Sequence, residues 1–291
     1  MSTTVVGIGE VLWDVFPDER RPGGAPANVA YHAGVLGNRG VVASRIGDDA
    51  LGAELRDYLE DQGIDCSGLQ VDDAHPTGTV QVHFDDGEPS YLITEDVAWD
   101  YLSMDDALQT LADTADAVCF STLSQRSPDT RTTLRVFLDA VPPEALRILD
   151  VNLRPPHYDG DVLRHSIARA DVVKCNEHEW TLLGTLVGTE EVDDWLLQDQ
   201  DIELVCLTQG AEGSTLMTAD ERLHLPAPEV DTSDGDAVGV GDAFLATITH
   251  HLLRDASLER MLTAANRYAS YVVTQRGGMP PVPPDVLDAV A

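Results

Sequence analysis

The chain has 291 residues, of which 43% are hydrophobic, enough for one large α/β domain or two smaller ones. It is strongly acidic: 51 Asp and Glu residues stand against 18 Lys and Arg, the formal net charge is -33, and Lys174 is the only lysine. Such a surface repels nucleic acid and anionic membranes, so neither is an expected partner. No apolar run is long enough to cross a bilayer and no signal peptide is recognisable, which predicts a cytoplasmic protein.

The acidic residues are distributed along the whole chain, which argues against a disordered acidic tail. At molar salt the Debye length falls to about 3 Å, and the repulsion between these charges is screened. We therefore expect the protein to come from a halophile. The four cysteines form no Cys-x-x-Cys pair, which favours reduced, buried thiols over a zinc site.

The N-terminal third alternates between strand and helix patterns. The apolar segment Thr3–Gly9 predicts a central strand, and it lacks the third glycine of a dinucleotide-binding fingerprint. A Gly-Gly turn then opens a helix of small residues, with Asn28 in its first turn. Small residues at this point allow either close approach to a ligand or tight packing of the helix on a strand. Val41–Ile46 predicts the next strand, and this spacing favours a mostly parallel sheet.

From Thr77 to about Asp100 the pattern changes. Hydrophobic and polar residues alternate on both sides of Asp85-Asp86-Gly87, which predicts a β-hairpin outside the main sheet. Such a hairpin suits a small lid over a site, or a contact between two copies of the chain. The segment Val97–Asp100 would then position the lid, with a plain edge strand as the alternative.

The α/β alternation returns after the hairpin. Four short apolar segments predict strands: Ala117–Ser121, Arg147–Asn152, Asp171–Lys174 and Leu204–Thr208. Helix patterns lie between them, near Ser103–Asp113 and over Asp129–Ala140. Asp150, Asn152 and Arg154 come at the C-terminal end of one predicted strand, where open α/β sheets bind ligands.

Two further groups of residues follow predicted strands. Asn176 and Glu179 are three residues apart at a predicted helix start and therefore share one face. An amide and a carboxylate there would orient waters around Mg²⁺, whereas simple N-capping by Asn176 is the alternative. Gly210 and Gly213 form a Gly-x-x-Gly turn, which either passes close to a ligand or closes a hairpin.

The segment from Asp236 to Asp242 carries the clearest chemistry. Apolar residues at helical spacing follow it, so Val238–Gly241 should lie at a helix N-terminus. Unpaired backbone N–H groups, the helix dipole and the flexible glycines suit that position to a phosphate group. A carboxylate beside an anion site is unfavourable unless it has a function, and proton abstraction from an attacking hydroxyl is such a function. The alternative is a Gly-rich helix start capped by Asp242.

Two separated motifs, with Asn176-x-x-Glu179 between them, carry a resemblance to a known family. The first is Gly23-Gly-Ala-Pro-Ala-Asn28 with Gly47-Asp-Asp-x-x-Gly52, and the second is Asp236-x-x-Gly-x-Gly-Asp242. Over essentially its full length the chain resembles the ribokinase-like (PfkB-type) carbohydrate kinases, and the first motif and Val97–Asp100 are most similar to bacterial-type fructokinases. The resemblance implies an α/β fold with a mostly parallel central sheet flanked by helices. It also implies one domain over residues 1–291, with lid strands inserted at about 11–20 and 77–100.

The resemblance implies a role for each residue that matches the family's motifs. Asp242 would be the base that takes the proton of the sugar hydroxyl. Backbone amides would form the anion hole at Gly239, Val240 and Gly241. Sugar contacts would come from Asp14, Gly24, Asn28 and Arg154. Mg²⁺ would be organised through water by Asn176 and Glu179. The nucleotide would be bordered by Thr208, Gly210 and Gly213, with Asn266 near adenine.

The sequence also departs from the family's pattern. Ala237 replaces the usual Thr and Val240 lies between the glycines, but backbone amides form the anion hole, so neither change should abolish it. The loop that binds a monovalent cation in relatives is matched only in part, around Asp236 and Gly277-Gly278. A requirement for K⁺ is therefore left open.

The leading hypothesis is an ATP-dependent, Mg²⁺-requiring kinase of a small neutral sugar, fructose first. A phosphorylated or acidic sugar needs a cationic clamp, and Arg20, Arg21 and Arg154 form no clear cluster. Kinases of 2-keto-3-deoxygluconate or ribose are the alternatives within this class. A non-catalytic sugar or nucleotide sensor is the alternative from another class, although a sensor does not need Asp242 beside the anion hole. A homodimer formed through the lid is a further expectation.

Overall fold

The computed structural model describes residues 3–16, 18–85 and 88–291. Within them the strands are β1 (Thr4–Ile8), β2 (Leu12–Val15), β3 (Arg20–Gly23), β4 (Arg39–Gly47), β5 (Asp65–Asp72), β6 (Gly78–Asp85), β7 (Glu88–Ile93), β8 (Ala117–Ser121), β9 (Leu146–Asp150), β10 (Val172–Asn176), β11 (Leu204–Thr208), β12 (Ser214–Met217) and β13 (Arg222–Leu225). The helices are α1 (Ala25–Val35), α2 (Ala50–Asp61), α3 (Asp106–Thr114), α4 (Pro128–Ala140), α5 (Gly160–Ile167), α6 (Glu177–Val187), α7 (Val192–Asp194), α8 (Val240–Leu252), α9 (Leu258–Val272) and α10 (Pro284–Val290).

The main sheet has the strand order β13-β12-β11-β10-β9-β8-β1-β4-β5. All of its pairs from β5 to β11 are parallel, and only β12 and β13 are antiparallel. Every residue of β1 and β8 is buried, because helices cover both faces of the sheet. Alternate side chains enter different cores: Val6 and Val118 pack on one face, and Val5 and Cys119 on the other. The predicted mostly parallel α/β sheet is confirmed.

A second sheet, which we call the lid sheet, has the order β3-β2-β6-β7. The predicted hairpin supplies its antiparallel strands β6 and β7, and β2 pairs in parallel with β6. The predicted turn residues Asp86 and Gly87 lie outside the described residues. Among the helices of the described residues, none is long and apolar enough to span a membrane.

Residues 98–101 anchor the base of the lid sheet. They form a short 3₁₀ helix, and not an edge strand. Asp100 makes a buried ion pair with Arg126 at 2.8 Å, and the guanidinium of Arg126 lies 3.9 Å from the ring centroid of Trp99. Arg126 also donates a hydrogen bond to the carbonyl of Thr94, just after β7. One arginine therefore ties the end of the predicted hairpin to the main body.

Candidate active site

The carboxyl ends of the parallel strands bring several polar side chains to one edge of the main sheet. Asp150 ends β9, Asn176 ends β10 and Thr208 ends β11. The strand register places Lys174 opposite Asp150, and Asn176 opposite Thr208. Open α/β sheets bind ligands at this edge, and the candidate site lies here.

Helix α8 begins at this edge. Gly239 precedes its first turn with a left-handed backbone (φ 74°), and a Cβ on Gly239 would lie 2.6 Å from the Cα of Gly278. The preceding loop is fixed by Asp236, whose carboxylate accepts the backbone N–H groups of Val238 and Gly277. The first-turn amides of α8 have no intrahelical partners, so this helix start carries partial positive charge.

Asp242 lies in the first turn of α8 and is tied to helix α1. The amide of Asn28 donates a hydrogen bond to the Oδ2 of Asp242 at 2.7 Å, although the two residues are 214 positions apart. Burial raises the pKa of Asp242 to about 6, and the negative charge of Asp150 adds to the rise. A carboxylate with this pKa is ionised at neutral pH and remains basic enough to accept a proton.

The other side of Asn28 faces the loop that supports Gly239. Its buried Oδ1 has no hydrogen-bond partner among the described residues, and a Cβ on Gly278 would lie 2.5 Å from it. The loop is held by His32, whose Nε2 donates to the carbonyl of Gly278 while its Nδ1 accepts from the hydroxyl of Tyr268. Because burial lowers the pKa of His32 to about 3, this imidazole stays neutral and acts as a fixed support.

A buried ion pair lies below the helix start, and sequence reasoning missed it. The Nζ of Lys174 is 3.0 and 3.1 Å from the two carboxylate oxygens of Asp150. Burial alone would lower the pKa of Lys174, but the negative charges of Asp150 and Glu179 outweigh it and raise the pKa above its ordinary value. The presence of a single lysine, two residues before Asn176, was a signal that could have identified it.

Asn176 and Glu179 form a reciprocal cap at the start of α6. The Oδ1 of Asn176 accepts the N–H of Glu179, and the Oε2 of Glu179 accepts the N–H of Asn176, both at 2.9 Å. The other carboxylate oxygen of Glu179 accepts the N–H of Leu153 at 3.0 Å. The capping alternative is therefore present in the structure, and the water-mediated contact to Mg²⁺ stays a prediction.

The residues predicted to contact the sugar come from both sheets: Asp14 lies on β2, Gly24 follows β3, and Arg154 follows β9. Asp14 lies on β2 opposite Arg21 on β3. Burial raises the pKa of Asp14 to about 6, against the positive charges of Arg21 and Arg154. Gly24 caps α1 with φ 109°, and a Cβ there would lie 2.5 Å from the carbonyl oxygen of Glu10. Arg154 is exposed, and its charge also acts on Asp242.

Glu10 is a second residue of the site that the sequence did not single out for a role. It follows β1, is 1% exposed, and lies 3.4 Å from the hydroxyl of Ser121. Burial raises the pKa of Glu10 to about 7, and the negative charge of Asp242 contributes to the rise. Two carboxyl groups with raised pKa values therefore share one electrostatic environment.

The predicted nucleotide residues lie beyond β11. Gly210 and Gly213 both have positive φ (57° and 105°) and flank the turn that joins β11 to the antiparallel β12, so the hairpin alternative is present. Thr208 donates a hydrogen bond to the carbonyl of Cys175. The amide of Asn266 accepts from Ser214 and donates to the carbonyl of Leu225, which ties α9 to β12 and β13. The contact between Asn266 and adenine stays a prediction.

The fold and the site together define an α/β protein that can hold an anion at a helix start, beside a proton-accepting carboxylate. Residues 8–285 match the pfkB family of carbohydrate kinases, and the chain belongs to this family. The protein is therefore a sugar kinase, and the family resemblance predicted from the two motifs is confirmed.

The most similar proteins include both uncharacterized kinases and fructokinases. A sugar kinase of Pyrococcus horikoshii is 30% identical over 280 residues, which cover 91% of this chain and 85% of that protein. Its structure in complex with ATP matches with a TM-score of 0.83 and 26% identity, over 99% of this chain and 100% of that one. The fructokinase of Escherichia coli is 27% identical over 309 residues, 97% of each chain. The fructokinase of Vibrio cholerae O395 in its fructose, ADP and calcium ion bound form has a TM-score of 0.81 and 25% identity, over 100% of this chain and 99% of that chain.

Proposed function

We propose that this sugar kinase transfers the γ-phosphoryl group of ATP to a hydroxyl of a small neutral sugar, with fructose as the first candidate. The observation that carries the proposal is the position of Asp242, which is hydrogen-bonded to Asn28 and lies in the first turn of α8, the helix whose start would hold the phosphoryl group. The ATP bound by the Pyrococcus horikoshii kinase and the fructose and ADP bound by the Vibrio cholerae fructokinase support the choice of substrates.

The proposed reaction assigns a role to each group of the site. Asp242 accepts the proton of the sugar hydroxyl as the oxygen attacks the γ-phosphorus, and the bond between the γ-phosphorus and the bridging oxygen of ADP breaks. Negative charge spreads over the transferring phosphoryl oxygens in the transition state. Backbone amides of Gly239, Val240 and Gly241 stabilise this charge, because they are fixed before the reaction and point out of the helix start.

The residues present fit Mg²⁺ that is held mainly by phosphate and water. Among the described residues no three His, Cys, Asp or Glu side chains cluster as a metal site, and Mg²⁺ commonly keeps several waters and few protein ligands. Asn176 and Glu179 would orient those waters, and the bound ion would neutralise phosphate charge. K⁺ would bind at the loop around Asp236 and Gly277-Gly278. The carboxylate of Asp236 is already paired with Arg21 at 2.8 Å.

The arrangement of positive charges favours a neutral sugar. Arg20 pairs with Glu54, and Arg21 pairs with both Glu19 and Asp236. Recognition of a phosphate or carboxylate on the substrate needs a free, charge-assisted donor. Arg154, which makes no ion pair within the described part of the chain, is a single cation and not a clamp. This favours fructose or ribose over 2-keto-3-deoxygluconate.

The test is an ADP-release assay with Mg-ATP in molar KCl, which screens the charge expected of a halophilic protein, repeated in NaCl to test for a K⁺ requirement. Fructose, ribose, 2-keto-3-deoxygluconate and fructose 1-phosphate are offered in parallel. We expect turnover with fructose. Turnover only with the acid or the phosphate would contradict the neutral substrate, and binding without turnover on any sugar would favour the alternative of a non-catalytic sensor.

Light scattering in the same buffer tests the expected homodimer through the lid sheet.

A further inference from the structure

The motif Gly47-Asp48-Asp49-x-x-Gly52 has no role in the chemistry proposed above. It joins β4 to α2, and Asp49 is the N-cap of this helix. The Oδ1 of Asp49 accepts the N–H of Gly52 at 2.7 Å, which is the contact that an ordinary helix cap makes. Asp49 makes two more hydrogen bonds, and both reach a distant part of the chain.

These two hydrogen bonds join Asp49 to Thr77, the residue that precedes β6 of the lid sheet. The Oδ2 of Asp49 accepts the backbone N–H of Thr77 at 2.8 Å, and its Oδ1 accepts the hydroxyl of Thr77 at 2.7 Å. The same hydroxyl accepts the N–H of Gly47 at 3.0 Å. Because Thr77 is only 3% exposed, water hardly competes for these bonds. Asp49 therefore fixes the point at which the chain enters the lid sheet.

The glycines of the motif allow this close approach. A Cβ on Gly47 would lie 2.6 Å from the backbone nitrogen of Thr77. A Cβ on Gly52 would lie 2.2 Å from the carbonyl oxygen of Gly47 and 2.8 Å from the hydroxyl of Thr77. Partial burial would raise the pKa of Asp49, but hydrogen bonds from Thr77 and Gly52 lower it below its ordinary value, so the carboxylate stays ionised at neutral pH. The motif thus has the residues that one tight junction between α2 and the lid sheet requires.

The first two turns of α2 also hold the neighbouring strands of the lid sheet. The indole N–H of Trp13 on β2 donates a hydrogen bond to the carbonyl of Leu51 at 3.0 Å. Arg20 on β3 pairs with Glu54. Contacts from β2, from β3 and from the residue before β6 therefore converge on one end of one helix.

The strand register carries the position of Thr77 to Asp14. Gly78, which follows Thr77, is paired with Leu12 of β2, and Val80 is paired with Asp14. Paired strands shift together because their backbone hydrogen bonds fix the register. A shift of β6 away from α2 would therefore move Asp14 relative to the main sheet.

We propose that the junction of Asp49 and Thr77 positions the lid sheet for sugar binding, and that Asp49 is a positioning residue that acts on Asp14 through β6 and β2. This role rests on the proposed sugar contact of Asp14, and it does not depend on which neutral sugar is the acceptor. The start of α8, proposed to hold phosphate, is built from other elements. Loss of the junction should therefore weaken sugar binding and leave ATP binding unchanged.

The first test compares KM for fructose with KM for ATP. Thr77→Val removes the hydroxyl and leaves Asp49 in place as the cap of α2. KM for fructose should rise about tenfold, because the sugar contact is misplaced, while KM for ATP should stay unchanged. Thr77→Ser keeps the hydroxyl and should restore the wild-type KM. An unchanged KM for fructose in Thr77→Val, or an equal rise for both substrates, would overturn the proposal.

A matched control separates the junction from the helix cap. Asp49→Ala loses both, whereas Asp105→Ala loses a cap of the same kind: Asp105 accepts the N–H of Leu108 at 2.9 Å at the start of α3 and also binds the side chain of Gln70. Both variants should melt a few degrees below the wild type. Only Asp49→Ala should raise KM for fructose, and equal KM values in the two variants would mean that Asp49 is a helix cap alone.

Backbone hydrogen exchange tests the junction without turnover. In Thr77→Val the amides of β2 and β6 should exchange faster than in the wild type, and those of β8 and β9 should not. Unchanged exchange in both lid strands would contradict the proposal.

The two proposals can fail separately. If the wild-type protein turns over none of the offered sugars, the proposed substrate is wrong, and hydrogen exchange alone then decides whether the junction positions the lid sheet. If Thr77→Val phosphorylates fructose with an unchanged KM, the kinase assignment stands and the positioning role of Asp49 is wrong.

Discussion

The two halves of the candidate site are held together by different kinds of contact. The side proposed to hold phosphate, which we call the phosphate side, comprises Lys174, Asp150 and the start of α8, and it is fixed by strand register and by an ion pair whose side chains are 9% and 8% exposed. The side proposed to hold the sugar, which we call the sugar side, is the lid sheet around Asp14, and it is joined to the loop before α8 by Arg21 and Asp236, whose side chains are 22% and 27% exposed. Water competes for the second contact and hardly reaches the first.

This difference indicates which half can move. The phosphate side is part of the main sheet, where both faces are covered by large hydrophobic cores. The β7 end of the lid sheet packs through Ile93 on a much smaller cluster, formed by Val97, Trp99 and Leu123, whereas Trp13 of β2 belongs to a larger cluster. Segments with few buried apolar contacts open at lower free energy, so substrate closure is expected to move the β6–β7 hairpin of the lid sheet over a phosphate side that is already formed.

The largest effect is expected from Asp242→Asn, which acts on the phosphate side. Loss of the base should lower kcat at least about 100-fold, while ATP affinity stays close to that of the wild type. Asp14→Asn is the comparison on the sugar side: it should raise KM for the sugar and change kcat much less. Steady-state kinetics of both variants separate the two roles, and near-normal turnover in Asp242→Asn would remove Asp242 from catalysis.

The next effect is expected from Gly239→Ala. Alanine at position 239 would have to adopt a positive φ of 74°, and its Cβ would lie 2.6 Å from the Cα of Gly278. The loop before α8 must therefore shift. We expect kcat to fall about tenfold or more, from the loss of aligned amides. Gly188→Ala is the matched control, because Gly188 has φ 80° with open space around its Cβ position. Gly188→Ala should lose about 1 kcal/mol of stability, Gly239→Ala should lose more because of its contact with Gly278, and only Gly239→Ala should lose activity.

A third effect concerns stability, and it isolates the cost of burying negative charge at the site. The folded pKa of Glu10 is about 7 against 4.5 when exposed, so between these values the folded state binds more protons than the unfolded state. The contribution of Glu10 to the free energy of unfolding therefore falls as pH rises through this window and is lowest above pH 7. Glu10→Gln should melt a few degrees above the wild type at pH 8 and at nearly the same temperature below pH 4.5. The exposed Glu60→Gln should show no such pH-dependent difference.

Parts of the fold with uniform burial could be predicted closely from the sequence. β8 and β11 were predicted to the residue, because each is a five-residue, mostly buried segment between polar turns. β5 and α5 were not predicted, since β5 is an edge strand with mixed polarity and α5 is only eight residues long. Helix α3 begins at Asp106, three residues later than predicted, because Asp105 caps it by accepting the N–H of Leu108.

Prediction of the site from the sequence had the same limit: local patterns were readable, and contacts between distant segments were not. The motif residues could be named from local pattern or from the family resemblance, and the structure then brings Asn28 to 2.7 Å from Asp242. The pair of Lys174 and Asp150 depends on the register of two parallel strands, which no local pattern records. In the same way, the amide of Asn266 is used by Ser214 and Leu225, partners that come together only when α9 packs on the sheet edge.

The smallest effect is expected from breaking the contact that joins the two halves. Arg21→Ala removes the ion pairs with Asp236 and Glu19, and because such partly exposed pairs contribute little, stability should fall by less than about 1 kcal/mol. The variant should still raise KM for the sugar several-fold, because β3 is no longer tied to the loop before α8. The pKa of Asp14 should also rise, because the positive charge of Arg21 lowers it in the wild type. Arg222→Ala, which breaks an exposed pair with Asp193 at 3.1 Å, is the matched control and should leave KM unchanged. Equal KM values for the two variants would mean that the lid sheet closes without this link, and that the sugar side is as firmly built as the phosphate side.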